Sequence, residues 1–333
     1  MVSIESSERT PGNHPAPTTA TPTSKTSFTL AHFSDLHLSC LDSVRVRELL
    51  NKRLYGYLRW KLHRGAEHLD SILSALKLDI NQTIPDHIAI TGDLTHLSLP
   101  AEFQKAESWL RSIGSPGQVT VIPGNHDAYV KTDWNQTFAC WTRYMLSDNN
   151  RLRDTTATSL DSVFPFLRVR GPIALIGLCS AHPSAPYLAV GAIGSNQLRR
   201  LEAILSQTAE QRLFRVLLIH HPPAQGTVSW RKRLIDAAAL RSVLARHGSE
   251  LILHGHAHRT AQSYLKTPSG SAPVMGAPSV SALGRTQERR ARYYIYRIAP
   301  APHGWDVRLA VRIYSPDEKR FILEREQQIN YPR

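Results

Sequence analysis

Short apolar runs that stop abruptly at polar residues recur along this chain. Their length and partly β-branched composition predict buried strands. The five runs are residues 28–34 (FTLAHFS), 87–91 (HIAIT), 119–122 (VTVI), 214–219 (FRVLLI) and 251–253 (LIL). We therefore expect each strand to deliver the polar residues that follow it to its carboxyl end.

Segments with helical periodicity, residues 66–78 and 101–113, precede the second and third runs. Strands that alternate with helices predict an α/β fold, in which ligands gather outside the carboxyl ends of the strands. The pattern changes near residue 272, and residues 291–298 and 305–314 are typical of antiparallel strands. These strands favour a second sheet in a mainly β C-terminal part, residues 272–333.

The chain shows no internal repeat and no linker after residue 27, so we expect a single domain over residues 28–333. Residues 1–27 are rich in Ser, Thr and Pro and contain no apolar run that could form a signal-peptide core or a membrane span. We predict that they form a disordered leader.

The composition of the chain bears on the size of its core, the charge of its partners and its redox compartment. Of the 333 residues, 41% are hydrophobic, which is enough for a large buried core. The formal net charge of +13 would attract an acidic partner such as a phosphorylated substrate, a nucleic acid or an anionic lipid surface. Cys40, Cys140 and Cys179 are odd in number and widely scattered, which favours a reducing, cytoplasmic compartment over a disulfide framework.

The polar residues after the five runs are of the types that bind transition metals, which prefer imidazole nitrogens together with carboxylate or amide oxygens. A single Asp-x-His or Gly-Asp pair is weak evidence, because the chain has 16 histidines and Gly-Asp is common in turns. The complete ordered set is far more specific. It comprises Asp35-x-His37, Gly92-Asp93, Gly124-Asn125-His126-Asp127, His220 and Gly255-His256-x-His258.

This set resembles the signature of the calcineurin-like metallophosphoesterase family, and within it the bacterial branch that includes class III cyclic nucleotide phosphodiesterases. The resemblance covers approximately residues 30–282. It implies a four-layer α-β-β-α sandwich of two mixed sheets flanked by helices, the metallo-dependent phosphatase fold. It also implies a hydrolase in which a hydroxide that bridges two metal ions attacks a phosphodiester or pyrophosphate.

The resemblance further implies seven metal ligands, divided between two ions and one bridging carboxylate. They are Asp35, His37 and His258 for the first ion, Asn125, His220 and His256 for the second, and Asp93 as the bridge. Two dications roughly 3.5–4 Å apart repel each other strongly unless anionic ligands lie between them. The ions could be iron, manganese, zinc or cobalt, divalent or mixed-valence, since such mixed ligand sets accept all four.

The resemblance also implies catalytic roles for two further residues. His126 would protonate the leaving group or stabilise the transition state, and Asp127 would orient the His126 imidazole. His221 and His254 flank ligand positions, but we expect them to be supporting or packed histidines rather than ligands.

Residues 44–65 (VRVRELLNKRLYGYLRWKLHRG) form a basic, aromatic insert between the first two motifs. Their spacing predicts a basic amphipathic helix interrupted near Gly56. Three interpretations stay open: a cap packed on the domain, a segment lying on an anionic membrane, and a contact with nucleic acid, which has the least support. The second would place the protein at the inner face of the membrane. In each case the insert would overhang the site and influence substrate choice.

A small phosphorylated molecule, such as a cyclic nucleotide or a lipid-linked nucleotide, is the expected substrate. A nuclease acting on DNA or RNA is the alternative among enzymes, because the positive charge suits it. A non-catalytic scaffold with the same fold is the alternative outside enzymes, but such proteins typically lose ligands, and here every expected position is filled. The sequence contains no signal for an oligomeric state or for a protein phosphatase.

Overall fold

The structure is a computed structural model that describes residues 27–41, 44, 46–49, 51–63, 68–148 and 157–329, with only the backbone described at residues 46 and 59–63. Apart from Ser27, the predicted leader lies outside the described residues.

Two sheets of six strands form the centre of the molecule. The first sheet contains β1 (Phe28–Phe33), β2 (His87–Ile90), β3 (Val119–Val121), β10 (Arg292–Ala301), β11 (Gly304–Ser315) and β12 (Arg320–Gln328). The second contains β4 (Phe166–Arg170), β5 (Ile173–Gly177), β6 (Phe214–Leu218), β7 (Leu251–His254), β8 (Ala261–Thr267) and β9 (Gly270–Gly276). The strand orders are β12-β11-β10-β1-β2-β3 and β4-β5-β6-β7-β9-β8. Each of the five predicted runs forms a strand.

Both sheets are mixed. Strands β1, β2 and β3 are parallel to one another, and β10 joins β1 in antiparallel register from Phe28↔Ile298 to His32↔Tyr294. In the second sheet β5, β6, β7 and β9 are parallel, whereas β4 and β8 pair antiparallel with their neighbours.

Six α-helices lie in the described residues. They are α1 (Arg53–His63), α2 (Asp70–Thr83), α3 (Pro100–Ile113), α4 (Leu160–Val163), α5 (Ser195–Glu210) and α6 (Ala237–His247). Helix α2 packs on the first sheet, and α5 and α6 pack on the second. Helix α2 ends where Ile84 adopts a left-handed conformation (φ 43°) and its N–H donates to the Ile80 carbonyl at 2.9 Å. Pro85 follows and cannot continue the helix.

Alternating side chains of the strands build two cores. In β6, Val216 and Leu218 belong to the cluster that joins both sheets, whereas Leu217 belongs to the cluster that includes Leu201 of α5 and Leu244 of α6. One face of the second sheet therefore packs on the first sheet and the other face packs on helices. The predicted four-layer sandwich is confirmed.

Two predictions about the elements are wrong. The strands after residue 272 do not form a sheet of their own, because β10 satisfies the open edge of β1 and β9 joins the second sheet. The helix predicted over residues 66–78 begins at Asp70, and residues 66 and 67 lie outside the described residues. Its start is delayed because His68 forms a β-bridge with Ala282.

The predicted interruption of the insert at Gly56 is also wrong, since α1 runs from Arg53 to His63 without a break. Gly56 instead permits close approach to the domain. A Cβ atom at this position would lie 2.5 Å from Leu97 Cδ2 and 2.9 Å from the Tyr129 hydroxyl oxygen. A larger residue would therefore push the helix away.

The first part of the insert packs on the domain as a cap. Leu49 and Tyr57 contact the small apolar cluster that contains Leu97. The buried Arg53 guanidinium donates to the carbonyls of Leu97 (2.8 Å) and Ser98 (2.6 Å). Arg45, Arg64 and Gly65 lie outside the described residues. Among the helices of the described part of the chain, none combines the length and the apolar character needed to cross a bilayer.

Arg168 on β4 connects the two sheets. Its Nη1 atom donates to the carbonyl of Val119 on β3 at 2.8 Å, and its Nη2 and Nε atoms donate to the carbonyls of Arg143 (2.6 Å) and Leu146 (2.7 Å). The side chain is buried, with 2% of the residue surface exposed. These carbonyl groups therefore have a buried, charged donor in place of water.

We expect Arg168→Met to lower the free energy of unfolding by at least about 3 kcal/mol, because the substitution keeps apolar bulk but leaves several buried carbonyls without a charged donor. Urea denaturation followed by circular dichroism measures the change. Arg111→Met is the control, since Arg111 is exposed on α3 and pairs with Glu107 one turn away. A loss at Arg168 that is no larger than the loss at Arg111 would contradict the connecting role.

Candidate metal centre

Loops from both sheets meet at the carboxyl ends of five strands. Asp35 and His37 follow β1, Asp93 follows β2, Asn125 follows β3, His220 follows β6, and His256 and His258 follow β7. All seven residues predicted to be ligands thus lie together. Six of them are buried, and the His258 side chain is 22% exposed.

One group of candidate ligands surrounds the end of β1. Ligand atoms of Asp35, His37, Asp93 and His258 all lie within 4.8 Å of one another. Asp35 Oδ1 is 3.1 Å from His258 Nε2 and 3.8 Å from His37 Nε2. The two imidazole Nε2 atoms are 3.0 Å apart. Nitrogen and oxygen donors at this spacing can bind one ion in common.

The second group contains Asp93 again, together with His220 and His256, whose ligand atoms also lie within 4.8 Å of one another. Asp93 Oδ2 is 3.4 Å from His220 Nε2 and 4.0 Å from His37 Nε2, so one carboxylate oxygen faces both groups. Asn125 Oδ1 lies 3.1 Å from His220 Nε2. The arrangement has the form of two adjacent sites that share Asp93.

In both Asp35 and Asp93, one carboxylate oxygen accepts a backbone hydrogen bond and the other is left for an ion. Asp35 Oδ2 accepts from the backbone N–H of His256 (3.0 Å), and Asp93 Oδ1 accepts from the backbone N–H of His126 (2.7 Å). Asp35 Oδ1 and Asp93 Oδ2 are buried and accept no backbone hydrogen bond from the residues that the structure describes; they lie beside imidazole nitrogens, His258 Nε2 at 3.1 Å and His220 Nε2 at 3.4 Å. Such oxygens are costly unless a cation lies beside them, so these residues fit a pair of metal ions.

Carbonyl groups hold two of the imidazoles in a defined tautomer. His220 Nδ1 donates to the Thr91 carbonyl at 2.7 Å, and His256 Nε2 donates to the Lys232 carbonyl at 3.0 Å. A carbonyl oxygen can only accept, so these nitrogens carry the hydrogen. The opposite nitrogen of each ring, Nε2 of His220 and Nδ1 of His256, is therefore the one that would bind an ion.

The electrostatics of the site also favour cations. Burial and the surrounding histidines hold the pKa values of His37 and His256 well below the usual range, so both imidazoles are neutral at pH 7. Burial would raise the pKa of Asp93, but His220, His126 and His256 together keep it well below its usual range. Burial would lower the pKa of His220, yet Asp93 raises it to about 9. A bound cation would therefore displace a proton from His220.

The backbone of the loops is unusual at these positions. Left-handed conformations are rare for residues other than glycine, because the Cβ atom meets the backbone, and they cost roughly 1–3 kcal/mol each. Five candidate ligands adopt them: Asp35 (φ 59°), His37 (φ 49°), Asp93 (φ 54°), His256 (φ 66°) and His258 (φ 49°). The close packing also requires glycine at Gly124, where a Cβ atom would overlap Asp93 Oδ1.

The contacts of Asp127 differ from the expected ones. Its Oδ1 atom accepts from the N–H of Thr95 at 2.8 Å, and its Oδ2 atom accepts from the N–H of Gly124 at 2.8 Å. His126 Nδ1 donates instead to the carbonyl of His96 at 2.6 Å. The orienting contact predicted for Asp127 is therefore made by a backbone carbonyl, and Asp127 holds the loops after β2 and β3 together.

Two histidines beside the site belong to no motif of the sequence analysis. The His96 ring centroid lies 5.4 Å from that of His126, and the His68 ring centroid lies 4.7 Å from that of His37. Neither follows an apolar run directly, so the pattern contained no signal for them. His221 and His254 are buried and bond to Ser180 Oγ (2.8 Å) and the Gly255 carbonyl (2.9 Å), which suits supporting histidines.

A cavity of about 320 Å³ opens onto the site. Asp93, Asn125, His126, His256 and His258 form part of its lining. The insert contributes Lys52, Tyr55 and Gly56, so it overhangs the site as the sequence predicts. The rest of the wall is formed by His96, Leu97, Tyr129, Tyr187, Leu188, Ala189, Ser229, Arg231 and Lys232.

A four-layer sandwich with histidine, aspartate and asparagine side chains at the meeting strand ends is the arrangement of metal-dependent phosphatases. The sequence model of the calcineurin-like phosphoesterase family matches residues 28–260. The chain therefore belongs to the calcineurin-like phosphoesterase family. Members of this family depend on metal ions, typically two.

Individual relatives agree with this assignment. A probable cyclic nucleotide phosphodiesterase of Synechococcus sp. is 25% identical over 206 residues, which cover 61% of this chain and 68% of the relative. A dimetal phosphatase from Danio rerio has a TM-score of 0.60 at 14% identity, covering 91% of this chain and 99% of that chain. A purple acid phosphatase from yellow lupin (Lupinus luteus) seeds has a TM-score of 0.52 at 11% identity, and the match covers 88% of this chain and 52% of that chain. The two structures support the fold alone.

We predict that Asp93→Asn lowers the metal content from two transition-metal ions per chain to one or fewer, because a neutral amide cannot offset the repulsion between two dications. Elemental analysis after dialysis measures the content. Asp86→Asn is the matched control, since Asp86 accepts from Thr29 N (2.8 Å) and Oγ1 (2.7 Å) and belongs to neither group of candidate ligands. Two tightly held ions in Asp93→Asn would refute the bridging role.

Proposed function

We propose that this protein is a phosphodiesterase or pyrophosphatase for small nucleotides, with two metal ions held by Asp93 and the six other candidate ligands. The shared position of Asp93 Oδ2, facing His37 at 4.0 Å and His220 at 3.4 Å, is the observation that carries the proposal. Two ions bound here would lower the pKa of a water nucleophile and neutralise the phosphoryl oxygens.

Residues of the chain itself would position the ligands and transfer a proton. The strained loops after β1, β2 and β7 hold the carboxylates and imidazoles in place before any substrate arrives, so little reorganisation is needed during the reaction. His126 lines the cavity, and its Nδ1 hydrogen is held by the His96 carbonyl. Its Nε2 atom is therefore the one that can hold or deliver a proton at the oxygen of the leaving group.

The wall of the cavity supports a nucleotide as substrate. Tyr55 and Tyr187 pack edge to face with ring centroids 4.7 Å apart, and Lys52 Nζ lies 4.4 Å from the centroid of Tyr129. Aromatic rings bind bases by stacking, and cations bind phosphate. Burial lowers the pKa of Lys52 to about 8, which still leaves it mostly charged at pH 7. The name of the Synechococcus relative agrees with a cyclic nucleotide.

The size of the cavity argues against a nuclease. A volume of about 320 Å³ is at the lower end for small-molecule pockets, roughly 300–1,000 Å³, and the insert closes one side of it. A nucleic-acid strand needs a groove that follows several nucleotides. The filled ligand positions likewise favour an enzyme over a scaffold.

Exposed apolar side chains around the cavity favour a second candidate substrate, a lipid-linked nucleotide or phosphate. Leu54 (46% exposed) and Leu58 (48%) lie one turn apart on α1, and Tyr187 (68%) and Trp230 (62%) lie on segments that line the cavity. Apolar and aromatic side chains next to cations are typical of surfaces that rest on anionic lipid. Such a surface would place the protein on the inner face of the membrane, with a lipid headgroup reaching the site.

A substrate panel with manganese-loaded or zinc-loaded protein distinguishes these functions. We expect hydrolysis of an aryl phosphodiester and of cyclic nucleotides, and slower hydrolysis of an aryl phosphomonoester. A lipid pyrophosphate with a nucleotide headgroup tests the second candidate, and single-stranded DNA tests the nuclease. Asp93→Asn serves as the inactive reference. Cleavage of DNA without turnover of any small ester, or no hydrolysis by protein that holds two ions, would overturn the proposal.

His126→Ala is expected to lower kcat by about 10²–10⁴ while both ions stay bound, because the substitution removes a proton donor but keeps the backbone N–H that holds Asp93. The loss should be smaller for a 4-nitrophenyl ester, whose leaving group needs no protonation, than for an alkyl ester. Steady-state rates on both esters, together with metal analysis, measure this difference. Equal losses on the two esters, or the disappearance of both ions, would show that His126 is not the acid.

A further inference from the structure

His68 lies beside the candidate metal ligands although it belongs to none of the family motifs. One ring nitrogen each of His37, His68 and His258 lie within 4.8 Å of one another. The His68 ring centroid is 4.7 Å from that of His37 and 6.2 Å from that of His258. These are the same two imidazoles that surround Asp35 Oδ1.

The backbone around His68 is held firmly. His68 forms an antiparallel β-bridge with Ala282, and the N–H of Leu69 donates to the Ser281 carbonyl at 3.0 Å. The following residue, Asp70, begins helix α2. His68 is therefore positioned by a regular backbone contact and not by a long loop.

A chain of hydrogen bonds determines which ring nitrogen of His68 carries the hydrogen. The hydroxyl of Ser279 donates to the Asp35 carbonyl at 2.6 Å, so its oxygen can only accept, and both Ser281 Oγ (3.2 Å) and His68 Nδ1 (3.3 Å) lie within reach of it. When Ser281 donates to Ser279, it must accept from His68 Nδ1 at 2.8 Å. His68 Nδ1 therefore carries the hydrogen, and Nε2 has a lone pair.

We propose that His68 is an additional imidazole ligand of the ion held by Asp35, His37 and His258. Ligating histidines usually donate the hydrogen of the other ring nitrogen to a polar group, which here is the hydroxyl of Ser281. The same serine pair connects His68 to the backbone carbonyl of Asp35. The inference rests on the proposed metal centre.

The additional imidazole would make the two sites unequal. The first would have three imidazoles with Asp35 and Asp93, and the second would have two imidazoles with Asn125 and Asp93. Imidazole-rich sites favour cobalt, zinc and iron over manganese and magnesium. The first site should therefore retain cobalt or zinc more tightly than the second.

Titration of metal-free protein with Co²⁺ tests the role of His68. Calorimetry gives the dissociation constants, and visible absorption of Co²⁺ reports the ligands of each ion. Outer partners of metal ligands typically contribute about 10–100-fold to affinity, so loss of a direct ligand in His68→Ala should raise one dissociation constant by at least about 10-fold. The other constant should stay unchanged, and the absorption of one ion should change.

Matched variants distinguish an effect on metal binding from an effect on folding. His68→Gln keeps a donor for Ser281 but lacks the imidazole, so it should show the same loss with an unchanged melting temperature of the metal-free protein. His247→Ala is the control, because His247 also pairs with a serine, Ser206 Oγ at 3.1 Å, but belongs to no cluster of candidate ligands. It should bind both ions as the wild type does.

Three results would overturn the inference. Unchanged constants and spectra in both His68 variants would show that His68 is not a ligand. A lowered melting temperature of both metal-free variants with loss of both ions would assign His68 a structural role instead. Failure of the wild type to bind Co²⁺ or any transition metal would remove the proposed metal centre as well, whereas the first two results leave it intact.

Discussion

The buried carboxylate of Asp93 is the constraint on which the rest of the site depends. It lies between two groups of imidazoles, and one of its oxygens faces both groups while the other accepts the backbone N–H of His126. A buried negative charge requires compensation, which the histidines supply in part and which cations would complete. The strained backbone at Asp93 and the close approach of Gly124 are consequences of holding that carboxylate where the two sheets meet.

The architecture explains how such strain is tolerated. Parallel strands from two sheets end at the same edge, and the loops that follow them contribute buried residues such as Leu36, Leu94 and Ala128 to a common core. Asp127 accepts hydrogen bonds from backbone N–H groups of the loops after β2 and β3. Farther from the site, Arg168 joins the two sheets. Left-handed residues persist only when their surroundings hold them in place, and these contacts do so.

The side of the cavity with the candidate metal ligands, here called the metal side, and the opposite wall come from different parts of the chain. Residues of the five strand ends form the metal side, and they match the family pattern in order and spacing. The opposite wall comes from the insert and from the segments around Tyr187 and Arg231. The candidate metal ligands and the opposite wall are therefore carried by separate parts of the chain, and a shared fold does not by itself define the substrate.

The sequence by itself determined the elements whose signals are local. Apolar runs followed by polar motifs were enough to predict strands β1, β2, β3, β6 and β7. The family resemblance carried by those motifs implied the four-layer sandwich and the seven residues that lie together at the site. The tertiary structure decided what depends on distant partners: the pairing of β10 with β1, the backbone contacts of Asp127, and the approach of His68 to His37 and His258. Hydrophobic periodicity reports which face of an element is buried, but it carries no information about which remote segment packs there. A histidine outside any motif, such as His68, can be placed only by the fold.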